Sequence, residues 1–334
     1  MDRKLFKLFA VVLALALTLS LSACGSGSSD GSTPAGDEFF VKVATGQQGG
    51  TYYPIGIAMA QVFSENVPGC VSSGMSTGGS VDNIGLLQDG EAQVAMIMST
   101  TCKDAYDGTG PFEGAAYEDL RSICALWENN IQIIVPNDIT HISQLEGKKF
   151  VVGANSSGTE LDARAVFSAF GLYYTNEDPS KNNIEPVYLD YSQGVDALKD
   201  GQVSGVLNVS HAPASAVTDL LSTGDYHVLE FTDEELEAIM ATNDLYAVYT
   251  VPAGTYPNQD SDLKTIGYPV LLTCPADADA DQIYSLTKAI FEHTEELVTA
   301  HSAAASITLE NAVKGLVVPL HEGAERYFTE VGAI

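Results

Sequence analysis

The sequence predicts an α/β fold in which mostly parallel sheets are flanked by helices and divided over two lobes. Three observations predict it. Short apolar strand-like runs alternate with helical patterns over nearly all of the chain beyond residue 38, as parallel sheets covered on both faces require. Helix-start and helix-stop residues punctuate those patterns. The 334 residues, 45% of them hydrophobic, supply more apolar material than one core uses, because single cores stop growing before about 300 residues.

The predicted strands are 39-FFVKVA-44, 70-CVSSGM-75, 93-QVAMIM-98, 121-RSICALW-127, 131-IQIIVP-136, 149-KFVVGA-154, 185-EPVYLD-190, 205-GVLNVS-210, 226-YHVLEF-231 and 268-YPVLLT-273. Helical patterns fall near 54–66, 80–89, 157–170, 192–200, 213–222, 232–240, 279–298 and 302–313. Thr232 with Glu235 makes a capping box, and Gly171 follows the 157–170 helix where a C-terminal glycine belongs. The seam between lobes is placed at 128-ENNIQIIVPNDIT-140, with the chain returning near 248-VYTVPAGTYPNQD-260. Lobe 1 is then residues 38–130 plus 262–334, and lobe 2 is 131–261.

Residues 1–23 read as an export signal: Arg3, Lys4 and Lys7 precede the apolar run 8-LFAVVLALALTLSLSA-23, shorter than the ~20 residues a membrane-spanning helix needs. Its end, 21-LSAC-24, resembles a bacterial lipobox, which makes Cys24 the expected lipidation site. Residues 24–37, rich in Gly, Ser and Pro, read as a flexible tether. A formal net charge of −29 repels nucleic acid and anionic headgroups, so no nucleic-acid partner is expected. Cys70, Cys102, Cys124 and Cys274 lack CxxC spacing, which argues against zinc, and their disulfide state stays open.

In open parallel sheets, ligands bind where strands run into helix N-termini. Five such junctions share a composition of Ser, Thr, Asn and Gly: 45-TGQQGGTYY-53, 76-STGGSVDN-83, 99-STTCKDAY-106, 155-NSSGTELDAR-164 and 208-NVSHAPAS-215. Free backbone N–H groups and partial positive charge at such ends hold anions; any one junction is equally well read as ordinary helix capping. Arg164 could clamp a carboxylate, or pair with Glu160 one helical turn before it.

Catalytic patterns are missing. The first junction has no Lys-Ser/Thr ending and does not follow GxGxxG, 153-GANSSG-158 is not a GxSxG elbow, and 292-EHTEE-296 is not HExxH. No enzyme activity, cofactor or metal is expected. A lipid-anchored serine hydrolase and a ligand-sensing receptor lobe are the alternatives to a binding protein.

The stretches 49-GGTYYPIG-56, 76-STGGSVDNIGLL-87, 106-YDGTGPF-112, 145-LEGKKFVVGANSSGTELDAR-164, 197-ALKDGQV-203, 252-PAGTYPNQD-260 and 319-PLHEGAERYF-328 resemble the TAXI-type solute-binding proteins of TRAP transporters. That resemblance implies a two-lobed, type II-like periplasmic-binding-protein fold with a cleft between lobes. It implies an extracytoplasmic, lipid-anchored protein that captures a small organic acid or amino acid, such as glutamate or 2-oxoglutarate, and delivers it to TRAP membrane subunits. It also implies ligand contacts at Gly50, Thr51 and Tyr52, at Ser76, Thr77 and Ser80, and at Ser157, Gly158, Thr159 and Arg164. The junctions 98-MSTTCKD-104 and 207-LNVSHAPAS-215 depart from the family's usual Gln-Ser-Asp and glycine-proline forms.

Overall fold

Ten strands form one continuous hydrogen-bonded array in the computed structural model, which describes residues 38–334. The expected signal, Cys24 and the tether lie outside the described residues. In chain order the strands are β1 (Phe39–Ala44), β2 (Cys70–Met75), β3 (Val94–Met98), β4 (Leu120–Pro136), β5 (Lys149–Gly153), β6 (Glu185–Tyr188), β7 (Val206–Ser210), β8 (Tyr226–Val228), β9 (Ala247–Val251) and β10 (Leu263–Pro275). The helices are α1 (Tyr52–Asn66), α2 (Ser80–Gln88), α3 (Ser99–Asp107), α4 (Gly158–Ala169), α5 (Tyr191–Lys199), α6 (Ser215–Leu221), α7 (Asp233–Met240), α8 (Ala280–Glu292), α9 (Thr294–Ala300) and α10 (Glu322–Glu330).

The path through the array is β2-β1-β3-β10-β4-β7-β5-β6, with β8 on β4 and β9 on β10. Strands β1, β2 and β3 run parallel at one end, and β5, β6 and β7 run parallel at the other. Between them β4 and β10 are antiparallel partners that serve both ends. Their pairing runs from Leu120–Pro275 to Asn130–Gly267; beyond it β4 turns to β7 and β10 turns to β9. Each end is wound on both faces. At the first, Val41 and Val43 pack with Ile55 and Phe63 of α1, while Ala44 and Ile97 pack with Ile84 of α2 and Cys102 of α3. At the second, Phe150 and Val152 meet Phe167 of α4, while Val151 and Val206 meet Val195 of α5 and Leu220 of α6.

The structure revises four readings of the sequence. The runs 121–127 and 131–136 are one strand of 17 residues, because Asn129 and Asn130, which look like a break, are fully buried and keep the ladder. The strand at 268–273 begins at Leu263. The 279–298 helix is interrupted at His293, whose φ of −124° leaves the helical region, and 302–313 contains a short 3-10 helix, Ser302–Ser306, followed by hydrogen-bonded turns. Helix α10 was not expected, and α3 was read only as a strand-to-helix junction at 99–106; both are polar overall and fold because of what they pack against. All four cysteines among the described residues are free and buried, and burial pushes the Cys70 thiol up to about 11 and the others higher still.

Candidate functional site

Five helices begin at the wall of one cavity. The loop after β1 contributes Gly46, Gln47, Gly50, Thr51 and Tyr52 at the start of α1; Gly78, Gly79 and Ser80 lead into α2; and Met98 precedes α3. From the other end of the array come Ser157, Gly158 and Thr159 at the start of α4, Tyr191 at the start of α5, and Val209 and Ser210 at the end of β7. Each helix start leaves backbone N–H groups without intrahelical partners, so their positive ends converge on the same space. No lysine, arginine or histidine is among the described lining residues.

Side chains hold the glycine-rich loop in place. Thr45 donates to Met75 O at 2.7 Å, and Asn83 donates to Thr45 O and Met96 O, both at 2.7 Å. Gly56 gives α1 its close approach: a Cβ there would stand 2.2 Å from Thr45 Cγ2. Ser157 caps α4 by accepting from Glu160 N at 3.1 Å, and its hydroxyl donates to Ala154 O at 2.7 Å.

The two sides touch directly. Gln47 Nε2 donates to Gly78 O at 2.9 Å, while its Oε1 accepts from Tyr191 N at 3.0 Å. Asp82 N donates to Ser156 O at 3.1 Å, and Ala216 N donates to Gly49 O at 3.2 Å. His211 N donates to Thr51 Oγ1 at 3.2 Å. The cavity left inside has about 20 Å³ of water-accessible space, enough for about one water molecule. That space is too small for an organic ligand.

Burial raises the Tyr52 phenol well above its ordinary value and the Tyr191 phenol to about 12, so both remain neutral. Tyr191 OH lies 2.8 Å from Thr159 Oγ1 and donates to Val209 O at 2.9 Å. Behind this wall, on the next turn of α4, Asp162 is buried against Tyr246, 2.7 Å away, and Tyr268. Desolvation lifts its carboxyl to about 7, against the lowering effect of the two phenols.

Of the ten residues carried over from the resemblance, Gly50, Thr51, Tyr52, Ser80, Ser157, Gly158 and Thr159 line this cavity. Ser76 and Thr77 stand one layer back: their hydroxyls donate to Gly46 O at 3.0 Å and Thr45 O at 3.2 Å, fixing the loop. Arg164 is outside the lining. Its guanidinium lies 2.7 Å from Glu160 Oε1, donates to Tyr174 O at 3.1 Å and sits 4.7 Å over the Tyr174 ring. Gln47, Met98 and Ser210 lie in junctions or predicted strands read from the sequence but are not among the ten expected contacts, whereas Tyr191 lies outside every junction compared. Tyr191 had a visible signal, since Asp190 and Gln193 form the capping box that opens α5.

Residues 43–332 match the model of the NMT1-like family. Among solved structures, a protein of Bordetella bronchiseptica RB50 is similar at a TM-score of 0.52 and 17% identity, covering 87% of this chain and 82% of that one. The periplasmic binding protein BugD is similar at 0.53 and 12%, covering 87% and 94%. At such identities the likeness is one of fold, the α/β fold of type II periplasmic binding proteins.

Proposed function

On the premise that the chain belongs to the NMT1-like family, we propose that it is an extracytoplasmic solute-binding protein that captures a small organic acid by closing its two halves over it. The observation that carries this reading is the convergence of five helix starts, from both ends of the strand array, on the walls of one cavity. Helix starts hold a carboxylate without a cationic side chain. Cavity walls from both halves mean that a bound ligand stabilises the closed form by its contacts to each.

In this reading residues 38–130 with 262–334 form one lobe and 131–261 the other, and β4 and β10 are the hinge, since β10 pairs with β3 of one parallel set, β4 pairs with β7 of the other, and the two pair with each other. Ser76 and Thr77 act by shaping the loop, and the seven lining residues act by contact. The resemblance to TAXI-type proteins adds the destination: delivery of the ligand to the membrane subunits of a TRAP transporter, from a protein tethered through lipid on Cys24. A serine hydrolase is less well supported, because the Ser157 hydroxyl is committed to Ala154 O and accepts from Glu160 N.

A thermal-shift screen of organic acids and amino acids tests capture. A true ligand at 100 times its Kd raises stability by about 2.7 kcal/mol, and a screen without a single hit would count against the reading. Tethering is tested by Cys24→Ser, which should release the protein from membranes; persistent membrane association would sink the lipoprotein assignment.

A further inference from the structure

Buried polar atoms that lack partners are rare in native proteins, and each calls for an explanation. Most of those among the described residues fall in two groups, and each group adjoins residues that line the cavity without itself being part of the lining. The first is the run of hydroxyls on the opening turn of α3: Ser99, Thr100 and Thr101 are buried, and none of the three oxygens has a hydrogen-bond partner. Met98, which precedes them, lines the cavity. Thr101 Oγ1 lies 2.9 Å from where a Cβ on Gly158 would stand, so the hydroxyl run meets the start of α4. Hydroxyl donors beside two helix starts suit a carboxylate.

The second group is amide. Asn130 is fully buried, and neither its Nδ2 nor its Oδ1 has a partner; Asn208 is 2% exposed, and its Nδ2 has none. In the β4–β7 ladder Asn130 stands opposite Ser210, and Gln132 opposite Asn208, which puts the four side chains on one face of the sheet. Ser210 is part of the cavity wall and donates to Asn208 Oδ1. Asn208 in turn borders a neighbouring void of about 10 Å³, and Tyr191 stands between the two spaces, lining both. Gln132 is already engaged, accepting from Tyr256 OH at 2.6 Å.

We propose that the ligand carries one carboxylate, held at the helix starts, and at its other end an uncharged group that both donates and accepts hydrogen bonds, a primary amide or a hydroxyl, selected by Asn130 and Asn208. This rests on the capture of a small organic acid and narrows it. A second carboxylate cannot donate to Asn130 Oδ1, and no cation among the lining residues would offset its desolvation. An ammonium cannot accept from the two free amide N–H groups. Exchanging O and N in the Asn130 amide leaves the same requirement, because both atoms are without partners. Sites built to bond a polar group reject analogues that cannot complete those bonds.

Isothermal titration of the purified protein with matched pairs tests the proposal: succinate and succinamate, glutarate and glutaramate, aspartate and asparagine, glutamate and glutamine. In the pair that binds best, the monoamide is expected to bind at least about tenfold more tightly, a difference of about 1.4 kcal/mol. Equal or tighter binding of the dicarboxylate overturns this proposal while leaving capture of an organic acid intact. Absence of binding by every compound overturns both. Asn130→Leu and Asn208→Leu add a second readout. If the amides read the ligand, each variant loses the monoamide's advantage and keeps its affinity for butyrate; Asn130→Leu does not lose thermal stability, since a wholly unpartnered amide has been replaced by an apolar group, whereas Asn208→Leu also removes the acceptor of the Ser210 hydroxyl. A lowered Tm with an unchanged amide-to-acid ratio would assign the two asparagines to structure alone.

Discussion

Gly158→Ala separates the closure of the two halves from the stability of each. Gly158 opens α4, and its φ is not in the left-handed region, so the helix itself accepts alanine. The added Cβ would stand 2.4 Å from Met98 Sδ, 2.9 Å from Thr101 Oγ1 and 3.2 Å from Ser80 Cβ. Ordinary contacts lie near 3.5–4.0 Å, so the facing atoms must withdraw by about 1 Å. Overpacking of this kind costs about 1–3 kcal/mol, or about 5- to 150-fold in an equilibrium constant.

Met98, Thr101 and Ser80 belong to one half and Gly158 to the other, so parting the halves relieves the strain without unfolding either. The assay is amide hydrogen exchange. Asp82 N–H, Tyr191 N–H and Ala216 N–H, which donate across the cleft to Ser156, Gln47 and Gly49, should exchange about 5- to 150-fold faster in the variant. Amides within β3 and β5 should keep their wild-type protection. Unchanged exchange at the three cleft amides, or equal acceleration throughout, would refute the reasoning.

Two further substitutions probe the ionisable groups behind the cavity. Asp162 holds its proton to about pH 7 when folded, against an ordinary value of 3.8. Its contribution to stability is therefore complete below pH 3.8 and lost by about pH 7, a fall of up to about 4 kcal/mol. Asp162→Asn should remove that fall, so denaturant titrations of variant and wild type at pH 4 and pH 8 should diverge; parallel profiles would contradict the buried neutral carboxyl. Arg164→Ala should cost about 1–2 kcal/mol of stability through the loss of the half-exposed pair with Glu160 and the contact over Tyr174. Ligand affinity should stay within about threefold of wild type, and a loss of about tenfold or more would place the guanidinium on the ligand.

Much of the cavity was legible in the sequence because helix starts announce themselves locally. The runs 49-GGTYY-53, 76-STGGS-80 and 155-NSSGT-159 combine glycines with small hydroxyl residues directly before a helical pattern, and that combination depends on backbone geometry rather than on distant contacts. Arg164 illustrates the limit. Its spacing from Glu160 allowed a pair on one helix face, and only the packing of Tyr174 beneath the guanidinium engages it there. Tyr191 and Gln47 are 144 residues apart, and no local pattern reports that the backbone N–H of one meets the side chain of the other.

By itself the sequence determined the alternation of strands and helices, the positions of most strand-to-helix junctions and the small, hydroxyl-rich composition those junctions share, since apolar periodicity and capping are properties of neighbours in the chain. Tertiary structure alone decided that four of those junctions face one another and that the start of α5 at Tyr191 joins them. It alone decided that Asn129 and Asn130 continue β4 instead of breaking it, and that the Asn130 and Asn208 amides are left without partners beside the cavity. Those outcomes depend on which strands pair across long separations and on how much water the closed halves exclude, and neither is written in any short stretch of residues.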